Sequence, residues 1–223
     1  MDQMALSYIE VNPPSAIRAC IIWLHGLGAT SHDFAPIVQE LQLPAALGVR
    51  FVFPQAPIIP VTINSGFEMP AWYDITAREI DAIVDKPGIM RSVEQVQALI
   101  ESEVARGIPI SNIVLAGFSQ GAAMALTVGL NYDQTIGGII ALSGYLPLMA
   151  DTLQNITEAS RQTPIFIAHG TEDVMVPYAL GKATYVNLRK ANCNVSWHSY
   201  TMAHSVCAPE VADISSWLIQ NIR

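Results

Sequence analysis

Ser119 stands between two glycines in Gly117-Phe118-Ser119-Gln120-Gly121, with the apolar run Ile113-Val114-Leu115-Ala116 before it and the small-residue stretch Ala122 to Leu126 after it. A strand that turns into a helix within so few residues needs glycine around the bend, and it leaves the serine on a strained backbone with its hydroxyl at the helix N-terminus. A hydroxyl alone is a weak nucleophile. It attacks an acyl carbon only with a base to take its proton, and that base needs a third group to orient it.

The acid and the base are expected downstream, each on a loop after a later strand. Asp133, Asp151, Glu158, Glu172, Asp173, Glu210 and Asp213 are the candidate acids. Asp133 and Asp151 do not directly follow a strand, and Asp213 falls inside the last helix. The run Ile165 to Ala168 leads straight into His169-Gly170-Thr171-Glu172-Asp173, which puts Asp173, in preference to Glu172, where the acid is needed. His198 alternates with Trp197 and Ser199 within a strand, whereas His204 lies in the loop Met202-Ala203-His204-Ser205 and is taken as the base. Neutral His204 then accepts the Ser119 proton and returns it to the leaving group, so activity should rise with pH as His204 loses its own proton.

The developing oxyanion needs fixed N–H donors. The Gln120 amide, directly after the nucleophile, is one; the other is assigned to the Leu27 amide in the glycine loop His25-Gly26-Leu27-Gly28. His25 and His169 each precede a glycine at a strand end and read as hydrogen-bonded turn histidines. With no acidic or thiolate partners at ligand spacing, neither a metal site nor a cofactor is expected.

These residues must be carried by strands and loops. Leu6 to Val11, Arg18 to Leu24, Val49 to Phe53, Ile136 to Leu142, Ile165 to Ala168 and Val195 to Tyr200 read as strands, in addition to the one before Ser119. Helices are expected from Ser31 to Leu41, from a Ser92/Gln95 capping box with Val93, Val96, Leu99, Ile100 and Val104 on its core face, from Tyr178 to Lys190, and from Pro209 onward with Val211, Ile214 and Leu218 buried. Between Pro54 and Pro87 no period holds, and that stretch is expected to form a lid or pocket wall. Fully apolar strands alternating with helices predict an α/β fold, a mostly parallel central sheet with helices on both faces, in a single domain over residues 1–223.

Composition narrows the class. Charged residues are 13% against a usual share of about 25%, and hydrophobic residues reach 51%, an apolar excess suited to a cleft, a dimer face or a membrane-contacting rim. The net charge of −8 with scattered basic residues excludes nucleic acid as a partner. With neither a signal sequence nor a membrane span legible, and with Cys20, Cys193 and Cys207 odd in number and widely spaced, a soluble cytoplasmic protein with reduced thiols is expected.

The blocks Leu24-His25-Gly26-Leu27-Gly28, Pro60 to Asn64, Met69 to Ile75, Gly117 to Gly121, Leu142 to Pro147 and His169 to Asp173 together resemble the carboxylesterase/acyl-protein thioesterase family of α/β-hydrolases, the bacterial carboxylesterases most of all. The resemblance implies hydrolysis of short and medium acyl esters and thioesters, lysophospholipids or lipidated proteins among them. It also implies an acyl pocket near Trp72, Leu146 and Val176, and a homodimer. Ala29, Ala122 and Val174 depart from the common pattern, replacing Asp, Gly and Pro, and none of them removes a catalytic group. Two other readings compete: a lysophospholipase at a membrane surface, suggested by the apolar stretch Ile58 to Ile63, and a hydrolase-fold receptor that binds small molecules without turnover.

Overall fold

The computed structural model describes residues 5–76 and 84–222. Its strands are β1 (Tyr8–Val11), β2 (Ala19–Leu24), β3 (Val49–Pro54), β4 (Ile58–Val61), β5 (Phe67–Pro70), β6 (Ile113–Phe118), β7 (Gly138–Leu142), β8 (Ile165–Gly170) and β9 (Val195–Tyr200). The helices are α1 (Ile37–Glu40), α2 (Lys86–Ala105), α3 (Gln120–Leu130), α4 (Met149–Asn155), α5 (Glu158–Gln162), α6 (Tyr178–Lys190) and α7 (Ala208–Asn221).

One sheet runs in the order β1-β3-β2-β6-β7-β8-β9, parallel throughout except for the antiparallel edge pair β1 and β3. β2, β3, β7 and β8 are buried at every residue because apolar layers cover both faces. Cys20, Ile22 and Leu24 of β2 pack toward α2 and α3, while Ala19, Ile21 and Trp23 pack toward α1 and α7. This is the doubly covered sheet expected from the sequence. The chain order reverses around β2, which lies between β3 and β6, and the crevice this opens at the carboxyl ends of β2 and β6 is where ligands bind in such sheets.

Four local expectations change. The stretch from Ser31 to Leu41 is mostly turns with α1 at its end, since Pro36 has no N–H to give and the Ser31 amide donates instead to Gln55 Oε1 at 3.0 Å. α2 starts at Lys86, capped by Asp85, whose Oδ1 accepts from Gly88 N at 2.9 Å; Ser92 is internal and donates its hydroxyl to Trp72 O. Val104 faces outward, 41% exposed. The aperiodic stretch after Pro54 contains a separate hairpin, β4 and β5, in which Pro60 and Pro70 are tolerated because a two-stranded ribbon has free edges. Residues 77–83 of that stretch lie outside the described residues. α4 and α5 were not foreseen.

Candidate active site

β6 ends at Phe118 and α3 begins at Gln120, so Ser119 alone makes the bend, at φ 56° and ψ −117°. A non-glycine residue there costs about 1–3 kcal/mol and persists only when its surroundings fix it. They do: Ser119 N donates to Leu142 O at 2.9 Å, and its carbonyl accepts from Ala122 N at 3.0 Å and Ala123 N at 3.2 Å. The flanking glycines serve close packing, since neither takes a positive φ. A Cβ on Gly117 would fall 2.2 Å from Gly121 O, and one on Gly121 would fall 2.1 Å from Leu24 O. The serine side chain makes no capping hydrogen bond and is half-buried at the positive end of α3.

β8 and β9 pair in parallel as far as Gly170 opposite Tyr200, and the backbone bonds continue beyond the strands, from Thr171 N to Tyr200 O at 2.9 Å and from Glu172 N to Met202 O at 3.1 Å. The two loops are thereby held side by side. A Cβ on Gly170 would lie 2.3 Å from Met202 O, so the crossing requires glycine. Asp173 and His204 meet there, with His204 Nδ1 2.7 Å from Asp173 Oδ2. The other carboxylate oxygen accepts from the amides of Met175 and Val176, both at 2.9 Å. The His204 ring rests on Phe118, the residue before the serine, with centroids 4.7 Å apart. With Nδ1 engaged by Asp173, Nε2 is left for a proton from another group. Glu172 is exposed, His198 stacks on Phe166 at 4.1 Å, and Asp213 accepts from the Tyr200 hydroxyl at 2.7 Å; none of the three joins this cluster.

The loop after β2 completes the crevice. Among the described residues neither the Leu27 nor the Gln120 amide donates to a backbone carbonyl, whereas Gly28 N is tied to Pro70 O at 2.8 Å. His25 is buried and holds the loop: its Nε2 accepts from Ala56 N at 3.1 Å, so the proton sits on Nδ1, which donates to Gly26 O at 2.8 Å. That carbonyl belongs to the same peptide group as the Leu27 N–H. Burial pulls the His25 pKa below its ordinary value, keeping the ring neutral.

The Gln120 side chain, which sequence reasoning left without a role, joins the elbow to the chain after β5. Its Oε1 accepts from Trp72 N at 2.9 Å and its Nε2 donates to Tyr73 O at 2.8 Å. A glutamine next to a nucleophile carries no sequence signal for this, because its partners are backbone atoms 47 and 48 residues away. Trp72 is buried, its indole N–H donating to His25 O at 2.8 Å, and Leu146 is buried with its amide on Thr184 Oγ1 at 3.0 Å. Both pack in the core layer that contains α2 and α3. Val176 is half-buried, and its backbone is engaged on both sides, by Asp173 and by His169. Among the described residues no group of three His, Cys, Asp or Glu side chains is placed to hold a metal ion. A cleft of about 570 Å³ between the ends of α2 and α3, lined by Glu101, Tyr132 and Asp133 among others, contains none of these residues.

The phospholipase/carboxylesterase family model matches residues 7–222. The chain belongs to this family. It is 37% identical over 221 residues to acyl-protein thioesterase 1 of Yarrowia lipolytica, covering 96% of this chain and 97% of that protein. It is 40% identical over 213 residues to acyl-protein thioesterase 1 of Neurospora crassa, covering 92% and 87%. The crystal structure of Zea mays acyl-protein thioesterase 2 superposes with a TM-score of 0.88 at 28% identity, covering 97% of this chain and 99% of that one. Arabidopsis thaliana SOBER1 gives 0.87 at 32% identity, covering 92% and 100%. This member of the phospholipase/carboxylesterase family is an α/β-hydrolase and a serine hydrolase of the carboxylesterase and acyl-thioesterase kind.

Proposed function

We propose that this serine hydrolase cleaves short- to medium-chain acyl esters and thioesters, with Ser119 as nucleophile, His204 as base and Asp173 as the acid that orients it. The observation that carries the reading is the 2.7 Å contact between His204 Nδ1 and Asp173 Oδ2, made by a ring that lies against the residue before Ser119. Ser119 Oγ attacks the acyl carbon and passes its proton to His204 Nε2. The oxyanion is held by the Leu27 and Gln120 amides, with the positive end of α3 adding to the field. The intermediate collapses, His204 protonates the departing alcohol or thiol, and a water activated by the same ring releases the acid. Trp72, Leu146 and Val176 are proposed as walls of the acyl pocket. Lipidated proteins are proposed as substrates because named relatives are acyl-protein thioesterases.

Ile58 at 68% and Phe67 at 69% exposure, on the β4–β5 hairpin, favour a peripheral membrane contact. The free thiols of Cys20, Cys193 and Cys207 suit the cytoplasm, and a homodimer is expected by analogy with the resemblance noted above. Turnover of p-nitrophenyl esters and acyl thioesters, with fluorophosphonate labelling mapped to Ser119, tests the catalytic reading. Stoichiometric labelling at Ser119 together with turnover supports it. Ligand binding without either would favour a non-catalytic receptor.

A further inference from the structure

His169 lies four residues before Asp173, fully buried. Its Nε2 is 2.9 Å from Val176 O and 3.4 Å from Asp173 Oδ2, on the same carboxylate oxygen that meets His204. Its Nδ1 is buried without a hydrogen-bond partner and faces α6, where a Cβ added to Gly181 would lie 2.3 Å from it. Both neighbours of Nε2 are acceptors, so a proton on Nδ1 would leave two oxygens facing a bare nitrogen and strand an N–H against carbon. The ring is therefore the Nε2–H tautomer. The rings of Trp197, stacked at 6.4 Å, and Tyr178, edge-on at 6.0 Å, fix its plane.

We propose that His169 is a positioning residue: its Nε2–H fixes the turn from Asp173 to Val176, and through that turn the carboxylate that orients His204. The turn is gripped from both ends. Val176 N–H donates to Asp173 Oδ1, and Val176 C=O accepts from His169. Oδ1 is already held by the Met175 and Val176 amides, and the lean of His169 toward Oδ2 adds a hold on the oxygen that meets His204. Gly181 explains itself on the same ground. Glycine inside a helix costs about 1 kcal/mol relative to alanine, and here only glycine lets α6 approach the ring. His169 stays neutral while His204 is charged, since protonating it would bury an Nδ1–H with no acceptor; burial lowers its pKa below the ordinary value, and nearby His204 lowers it further. Only one of the two histidines on this carboxylate then becomes an imidazolium.

This proposal rests on the catalytic reading of Ser119, Asp173 and His204, and its test separates the two. His169→Phe keeps the ring volume without the N–H, and His169→Gln restores a donor near the Nε2 position. In the first, kcat on a soluble ester should fall about 10- to 100-fold with KM within about twofold, and the His204 Nδ1 proton resonance should move or broaden. In the second, kcat should stay within about threefold of wild type with the resonance in place. Wild-type kcat and an unmoved resonance in His169→Phe, or a His169→Gln variant as slow as the Phe variant, would overturn the proposal. Should His169→Phe not fold, His169→Leu takes its place beside the Gln variant: a fall in kcat with a moved resonance supports the proposal, and wild-type kcat with an unmoved resonance overturns it. An inactive wild-type protein, or an active Ser119→Ala, would instead sink the catalytic reading, while the resonance would still report whether His169 orders the Asp173–His204 pair.

Discussion

Asp173 and His204 are 31 residues apart in the chain and 2.7 Å apart in space, and the backbone explains the difference. Parallel pairing of β8 with β9 is extended past the strand ends by the amides of Thr171 and Glu172, so the acid loop and the histidine loop leave the sheet as one unit. The pair is therefore as rigid as the sheet that carries it, which is what an orienting hydrogen bond requires.

Replacing that carboxylate oxygen by an amide should be severe. Asp173→Asn presents an N–H to His204 Nδ1 and inverts the tautomer, and kcat should drop by about four orders of magnitude, as in other enzymes with this arrangement. Glu172→Gln, an exposed neighbour, should stay within about twofold. Steady-state kinetics on one soluble ester distinguishes them, and equal losses in the two would dismiss Asp173 as the orienting acid.

Gln120 separates backbone from side chain. Gln120→Ala keeps the amide assigned to the oxyanion but leaves Trp72 N and Tyr73 O, both buried, without partners, so it should cost about 2–4 kcal/mol of stability while kcat falls less than about tenfold. Denaturant melts beside kinetics check this. A large loss of kcat at full stability would mean that the side chain itself contacts substrate.

Glu210, third residue of α7, is fully buried, and burial pushes its pKa from 4.5 up to about 7 against the opposing pull of the Cys207 amide. A carboxyl whose folded pKa is raised holds its proton longer in the folded state. Its favourable contribution is complete below pH 4.5 and is lost as pH climbs to about 7. Glu210→Gln stays neutral, so it should exceed wild type by up to about 3 kcal/mol at pH 8, the two converging at pH 4.5. Melting curves across that range read this directly, and a pH-independent difference would show that Glu210 does not titrate there.

The hairpin carries the prediction about surfaces. Ile58→Ser with Phe67→Ser should leave kcat on a soluble ester within about twofold and abolish flotation with zwitterionic phosphatidylcholine vesicles. Flotation of wild type and double variant alike, or of neither, would remove the membrane contact from the account.

Much of this arrangement was legible in the chain itself. Continuous apolar runs located the buried parallel strands, and the order of serine, acid and histidine after successive strands singled out Ser119, Asp173 and His204. What was not legible was carried by contacts with no local pattern. His25 and His169 are the hydrogen-bonded turn histidines the sequence suggests, but which backbone atoms they hold, and the role of the Gln120 side chain at all, depend on segments that no local pattern names. Ser92 imitates a cap seven residues after the true one, Asp85, which sits two residues before a proline. The β4–β5 hairpin was hidden by its prolines, which only a ribbon with open edges accepts.

The central claim is that the Ser119 hydroxyl does the bond-making chemistry. Its most direct test is kcat for Ser119→Ala on an ester that the wild type hydrolyses, measured after the variant is shown to be folded. The account predicts a fall of about four to six orders of magnitude with substrate affinity retained. Turnover at the wild-type rate would contradict it.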